Sequence, residues 1–308
     1  MKKTFALLIT SAIFVGASTT ASALGFSTVL SDDKSKNTFT KCGWESDPHI
    51  NKVPLKGKPS RRDQVWIRTN GKEFVIDNSP SIGALSFLYG QNTIMEGKTL
   101  QVTKGNISLE ADGSPSSTTL FTAKKSLVQV RGNLTFGVWQ ELKSMGESKL
   151  VLEDTKMNFG GALSYNIPAW RAKFTKNRSG VTIQMTGDSF IKCKGDLLVD
   201  TVVAENPDVH FRIILNEKDG KMPYFSARGG DIKGCELHLN IKGKLRKGIY
   251  PLLDASGTKA FSGKLRAMTL NGKNISFDTV TPINGTDVIV KIGSSDKKKE
   301  NDIILEVK

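Results

Sequence analysis

Only three cysteines, Cys42, Cys193 and Cys235, occur in 308 residues, too few to build a disulfide scaffold. A chain of this length buries a core without such staples. Beyond residue 23, no apolar run approaches the roughly 20 residues that a membrane-spanning helix requires. Helical periodicity is almost absent. The familiar enzyme signatures are missing as well: there is no G-x-S-x-G, no H-E-x-x-H, no phosphate-binding loop and no dinucleotide fingerprint. The three histidines, His49, His210 and His238, are scattered, so spacing defines no Ser-His-Asp arrangement. Acidic pairs such as Glu153-Asp154 are adjacent and read as turn residues, and no calcium-type carboxylate cluster accompanies them. No metal and no cofactor is implied.

Negative charge is scarce too, with 30 acidic residues against 44 basic ones. Residues 1–23, MKKTFALLITSAIFVGASTTASA, set Lys2 and Lys3 ahead of an apolar stretch from Phe5 to Val15 and end in Ala21-Ser22-Ala23. That order describes an export leader, with cleavage expected after Ala23. No cysteine near the junction suggests a lipoprotein. Loss of the two leader lysines takes the formal charge from +14 to +12. Such a surplus draws an exported protein to polyanions, whether acidic polysaccharide, anionic cell-envelope polymer, lipid headgroups or nucleic acid, unless it is simply a solvated lysine-rich surface. The lysines are dispersed and the one dense run, Lys297–Lys299, sits in polar sequence. A continuous basic stripe, and with it a nucleic-acid partner, is therefore not expected.

What remains is a sequence of short alternating runs bounded by Gly, Asn, Asp, Ser or Lys, among them Val65-Trp66-Ile67, Leu127-Val128-Gln129-Val130 and Leu237-His238-Leu239-Asn240-Ile241. Alternation of this kind marks half-buried strands, so the chain reads as all-β. A phrase recurs within it, strand then Gly then Asn or Asp then strand: Lys104-Gly105-Asn106, Arg131-Gly132-Asn133, Lys194-Gly195-Asp196 and Gly229-Gly230-Asp231. Lys242-Gly243-Lys244 reads as a degenerate copy. The glycines fall 27, 63 and 35 residues apart. Sixty-three is three times 21, which suggests a repeat of a little over twenty residues with insertions. Glycine permits positive φ or close backbone approach at a corner, and Asn or Asp bonds its own backbone there. Stacked units of this kind bury a continuous apolar column.

The expected fold is therefore an all-β, right-handed parallel β-helix (β-solenoid), with an antiparallel β-sandwich as the alternative. Its expected divisions are a leader at 1–23, an irregular N-terminal cap at 24–62, the solenoid at 63–245 and a C-terminal cap at 246–308. Trp44 is placed to plug one end. Strands near Val288–Ile292 and Ile303–Val307 are placed to close the other as a hairpin.

Trp44, then Pro54 or Pro59, then Asp63-Gln64-Val65-Trp66-Ile67 and the strand–Gly-Asn–strand units resemble exported bacterial parallel β-helix proteins. The segment from Ile249-Tyr250-Pro251-Leu252-Leu253 to Phe261-Ser262-Gly263 is similar to the terminal part of autotransporter passenger domains. No run of membrane strands follows, so a translocator barrel is not expected. The resemblance implies fold more than activity, and its leading implication is a non-enzymatic surface or extracellular binding or scaffold protein for an anionic glycan. The alternative is a polysaccharide lyase or hydrolase on the same fold. Lyases on β-helices use a Lys or Arg base and cations that neutralise an acidic sugar. By that resemblance the binding candidates are Trp170, Arg171, Lys173, Arg212 and Arg228, with Phe211 and Phe225 beside them to stack on sugar rings.

Cys235 and His238 form a C-x-x-H spacing, but residues three apart on a strand face opposite ways, so a shared metal is not expected. A disulfide between Cys193 and Cys235 is the preferred pairing. It carries a difficulty, since two repeats separate the thiols by about 9.6 Å, more than a bridge spans.

Overall fold

The computed structural model describes residues 25–46, 57–68, 72–88, 92–110, 118–137, 146–166, 179–199, 205–207, 209–257, 260–293 and 302–308. The chain opens with a hairpin of β1 (Gly25–Val29) and β2 (Gly43–Ser46). It then runs repeatedly through three strands. The first circuit is β3 (Gln64–Arg68), β4 (Glu73–Ile76) and β5 (Ser81–Ile82), and the second is β6 (Ala84–Leu88), β7 (Asn92–Glu96) and β8 (Thr99–Val102). The third and fourth are β9 (Ile107–Glu110), β10 (Thr118–Lys124), β11 (Leu127–Val130), then β12 (Leu134–Gly137), β13 (Glu147–Glu153), β14 (Lys156–Phe159). The fifth and sixth are β15 (Leu163–Asn166), β16 (Ser179–Thr186), β17 (Phe190–Cys193), then β18 (Leu197–Val199), β19 (Val209–Asn216), β20 (Tyr224–Ala227). A seventh, β21 (Gly230–Asp231), β22 (Cys235–Asn240), β23 (Gly248–Ala255), leads into β24 (Phe261–Ser262) and β25 (Ala267–Leu270).

Each strand pairs in parallel with the strand three places on, so first strands make sheet A, second strands sheet B and third strands sheet C. Hairpin pairing, which a sandwich requires, is confined to the ends. At the C-terminal end β27 (Val280–Ile283), β28 (Thr286–Gly293) and β29 (Asp302–Val307) run antiparallel, and β29 closes against β23. At the other end Phe39 N–H donates to Val75 O and Val75 N–H to Asn37 O, covering the free edge of β4. Phe39 is buried, and Trp44 packs on it with ring centroids 5.1 Å apart.

Because the register is in step, alternate residues of each strand form inward columns. On sheet B one column runs Phe74, Thr93, Phe121, Leu150, Ile183, Ile213, Leu237, Met268. The columns of all three sheets meet in a single core cluster. Each large apolar side chain buried there stabilises by about 1.5–3 kcal/mol.

The corners differ in kind. Between sheets C and A, Gly83, Gly105, Gly132, Gly161 and Gly195 form a file in which each N–H donates to the carbonyl of the preceding glycine, at 2.8, 3.1, 3.0 and 2.9 Å. A Cβ on Gly132 would run into the Gly105 backbone and the Asn106 side chain. Close approach, and not positive φ, is thus what this corner demands. Asn106 Oδ1 accepts from Asn133 N–H and Asn133 Oδ1 from Ala162 N–H, both at 2.8 Å. Between sheets B and C the chain instead turns through left-handed residues, Gly97, Lys125, Asp154 and Gly187.

These corners correct the repeat length. The 63-residue interval from Gly132 to Gly195 holds two circuits, with Gly160-Gly161-Ala162 as the intervening corner, and not three. That corner lacks Asn or Asp and so escapes the phrase. The extra length enters between sheets A and B, where connections grow from residues 89–91 to residues 167–178. Lys242-Gly243 follows β22 at the B-to-C corner and is not a copy of the glycine file.

The expected disulfide is absent. Cys193 ends β17 on sheet C, Cys235 opens β22 on sheet B two circuits on, and both point inward as free thiols. Two strand spacings and a change of sheet put them beyond bridging distance. Burial pushes the thiols of Cys42, Cys193 and Cys235 up to about 12.

Candidate functional site

The residues singled out from sequence do not form one site. Trp170, Arg171 and Lys173 fall in the 167–178 connection, outside the described residues. Arg212 faces outward from sheet B, where its Nε donates to Glu236 Oε2 at 2.6 Å. Arg228 follows β20 at the C-to-A corner and grips both oxygens of Asp196, at 2.8 and 2.7 Å. Both guanidinium groups are therefore already neutralised, on different faces. Phe211 and Phe225 are fully buried, because each shares its strand phase with the inward column, and neither offers a ring to a sugar.

The outward face of sheet C brings together a different set. Its middle row runs Gln101, Gln129, Asn158, Lys192 along β8, β11, β14 and β17. Gln101 Nε2 donates to Gln129 Oε1 at 3.4 Å. Just past the strand ends, Thr103, Arg131, Gly160 and Lys194 form a second row. Gly160, where a Cβ would run into the Arg131 carbonyl, offers no side chain between Arg131 and Lys194. The result is a cleft of about 430 Å³ lined by Gln101, Gln129, Asn158, Arg131, Gly160 and Lys194. Outside the cleft, at the start of β17 and β20, Phe190 and Tyr224 stack at 5.5 Å, and Lys192 Nζ lies 4.9 Å from the Phe190 centroid. Such a cation and ring contact adds about 0.5–1 kcal/mol at an exposed site.

Arg131, Lys192 and Lys194 are exposed, and none has a carboxylate partner among the described residues. Lys156, between them, pairs with Asp188 at 3.6 Å. Planar amides, cations without a carboxylate partner and an apolar ring pair thus share the outward face of sheet C. Amides donate and accept toward hydroxyls, cations attract carboxylates or sulfates, and the rings take the apolar face of a sugar.

Sheet B carries the contrasting arrangement, in which charges are spent on one another. Gly180 lacks a side chain, and this leaves room for the His210 ring to reach across β16 to Glu147 on β13. The His210 Nε2 to Glu147 Oε1 separation of 3.8 Å is an ion-pair distance, longer than a hydrogen bond. Thr182 Oγ1 donates to the same oxygen at 2.6 Å. Glu236 meets His238 Nε2 at 3.3 Å, Arg212 at 2.6 Å and Arg266 Nη1 at 3.9 Å. Arg266 in turn donates to Val209 O and Asn206 O. His210, with Thr182 and Lys149, holds the Glu147 carboxyl down to about 2, and His238 with Arg212 does the same for Glu236. Carboxylates so strongly ionised are poor proton donors at neutral pH.

Thr269, His238 and Glu236 do line up as hydroxyl, imidazole and carboxylate, with Thr269 Oγ1 2.8 Å from His238 Nδ1. Thr269, however, is flanked by β22 on one side and by β26 (Lys273–Asn274) on the other. Backbone N–H groups in a paired strand are committed to the ladder and leave nothing aimed at an oxyanion. As expected from strand alternation, Cys235 points inward and His238 outward. No group of three metal-ligating side chains occurs among the described residues.

The sheet C strip was partly readable in advance. In Phe190-Ile191-Lys192-Cys193 the aromatic shares its phase with lysine, which places it outside, whereas Phe225 alternates with Tyr224 and falls inside. No helix among the described residues is long and apolar enough to cross a membrane. No family model, curated protein or solved structure matches this chain.

Proposed function

We propose that this chain is an exported, right-handed β-solenoid that binds an acidic polysaccharide along sheet C without cleaving it, as a surface or extracellular binding or scaffold module. The observation that carries this reading is the contrast between faces. On sheet B, Glu236 neutralises Arg212 and Arg266 and Glu147 faces His210, whereas Arg131, Lys192 and Lys194 have no carboxylate partner among the described residues and stand near amides and aromatic rings. Unspent charge next to planar hydrogen-bonding groups is what recognition of an acidic sugar uses. The rotation of the chain through three parallel sheets supports the solenoid, and the repeated corners support the resemblance to exported β-helix proteins. Export is supported by the leader sequence at residues 1–23.

The test is binding of the purified mature chain to a panel of uronate polymers, with ultraviolet absorbance monitored for unsaturated products. Saturable, salt-sensitive binding with no product is expected, and Arg131→Gln or Lys194→Gln should weaken it about tenfold, the worth of one charge-assisted contact. Accumulation of product would favour the second reading, a lyase or hydrolase. The Thr269, His238 and Glu236 alignment favours that reading, and His238→Asn should then abolish turnover.

A further inference from the structure

Resting on the glycan-binding reading, we infer that the strip engages an acidic polysaccharide lying along the stacking direction of sheet C and reads an anionic group on every second sugar. Neighbouring strands of a sheet stand about 4.8 Å apart, so two circuits advance about 9.6 Å. On or beside the cleft, the cations without a carboxylate partner are spaced by that double step, while the exposed Lys104, one circuit before Arg131, lies outside the lining. Arg131 belongs to the circuit of β11, and Lys192 and Lys194 to that of β17. The intervening circuit, that of β14, offers Gly160 and Asn158, while its Lys156 is held by Asp188. An extended 1→4-linked pyranose chain advances per sugar by a distance of the same order as this strand spacing. Carboxylates on the first and third sugars then meet Arg131 and the Lys192–Lys194 pair. The middle sugar lies over Gly160 and Asn158, where an amide serves a hydroxyl and no cation calls for charge.

Across the strip, from Lys194 to Lys192 to Phe190, successive outward residues belong to one strand and its end, with the aromatic rings at the start of β17 and β20. Along the strip the amide row continues without interruption from Gln101 to Asn158.

The test is competition by trisaccharides, at millimolar concentration, against an immobilised polyuronate holding the mature protein. Three ligands carry uronates at positions one and three, at positions one and two, or at all three. The one-and-three ligand should match the all-uronate ligand within about twofold, and the one-and-two ligand should be weaker by about fivefold or more. Arg131→Gln should erase that preference. Asn158→Lys, which adds a cation to the middle circuit, should raise the one-and-two ligand to parity. Equal competition by both two-uronate ligands in the unmodified protein overturns the spacing while leaving glycan binding intact. So does failure of all trisaccharides where the polymer binds. If the polymer itself does not bind, the glycan-binding reading falls and the spacing with it.

Discussion

Glu110 ends β9 with one carboxylate oxygen bonded to Ser108 Oγ at 3.0 Å and the other buried without a partner among the described residues. Burial raises this carboxyl from 4.5 to about 7. The folded chain then keeps the proton where the unfolded chain has lost it, so folding stability falls as pH rises from about 4.5 to 7. The loss is at most on the order of 3 kcal/mol. Glu110→Gln keeps a side chain that bonds Ser108, and it should match the parent at pH 4 yet unfold at higher urea at pH 8. Glu236 has the opposite sign. Its depressed carboxyl contributes stability above about 4.5 that is lost as pH falls toward 2. Glu236→Gln leaves Arg212 and Arg266 without their carboxylate, so at pH 7 a cost of about 2 kcal/mol is expected, with a flatter acid limb in the same titration. At this scale the sequence named the right residue types but the wrong neighbours. Arg212 and Arg228 were recognisable as cations, while Glu236 and Asp196, which neutralise them, are 24 and 32 residues away along the chain.

At the scale of the element, the two glycine corners separate two physical reasons for the same residue. At Gly132 there is no room, since a Cβ would meet the Gly105 backbone, whereas at Gly97 there is open space but φ is +63. Gly132→Ala should therefore cost about 1–3 kcal/mol by overpacking, and shift neighbouring circuits apart. Gly97→Ala should cost about 1 kcal/mol through backbone strain alone. Denaturant midpoints of the two variants measure the difference. Asn133→Ala removes the acceptor of Ala162 N–H and should cost about 1 kcal/mol, with Asn133→Asp restoring the acceptor. Strand phase was legible where burial alternates: Leu127-Val128-Gln129-Val130 alone tells that Val128 and Val130 face in and Gln129 out, whereas Phe211 and Phe225, expected beside a sugar, face in. Which strands are neighbours was not, because the connections between sheets A and B vary in length and hide the period. That register is what aligns Gln129 with Gln101 and Asn158.

The whole molecule is a stack in which each circuit touches the next, and its stability needs no covalent link. All three thiols are inward-facing and unbonded, so reductant should leave the unfolding midpoint unchanged. Iodoacetamide should label none of Cys42, Cys193 and Cys235 in the native protein and all three in denaturant, since burial disfavours the reactive thiolate. Mass spectrometry before and after denaturation reads this directly. The stack also concentrates variation at one edge. Corners B-to-C and C-to-A stay short through most circuits while the A-to-B connections lengthen along the chain.

The sequence by itself determined the strand content, the inward and outward phase of the alternating strands, and most of the corners at which glycine stands. Those follow from properties local to a few residues: side-chain alternation along a strand and the steric demand of a turn. Only the tertiary structure decided that the 63-residue interval holds two circuits, that Cys193 and Cys235 lie on different sheets, and that Arg131 and Lys194 flank Gly160. Parallel stacking brings together residues one full circuit apart, and the length of a circuit is set by connections whose size carries no periodic signal.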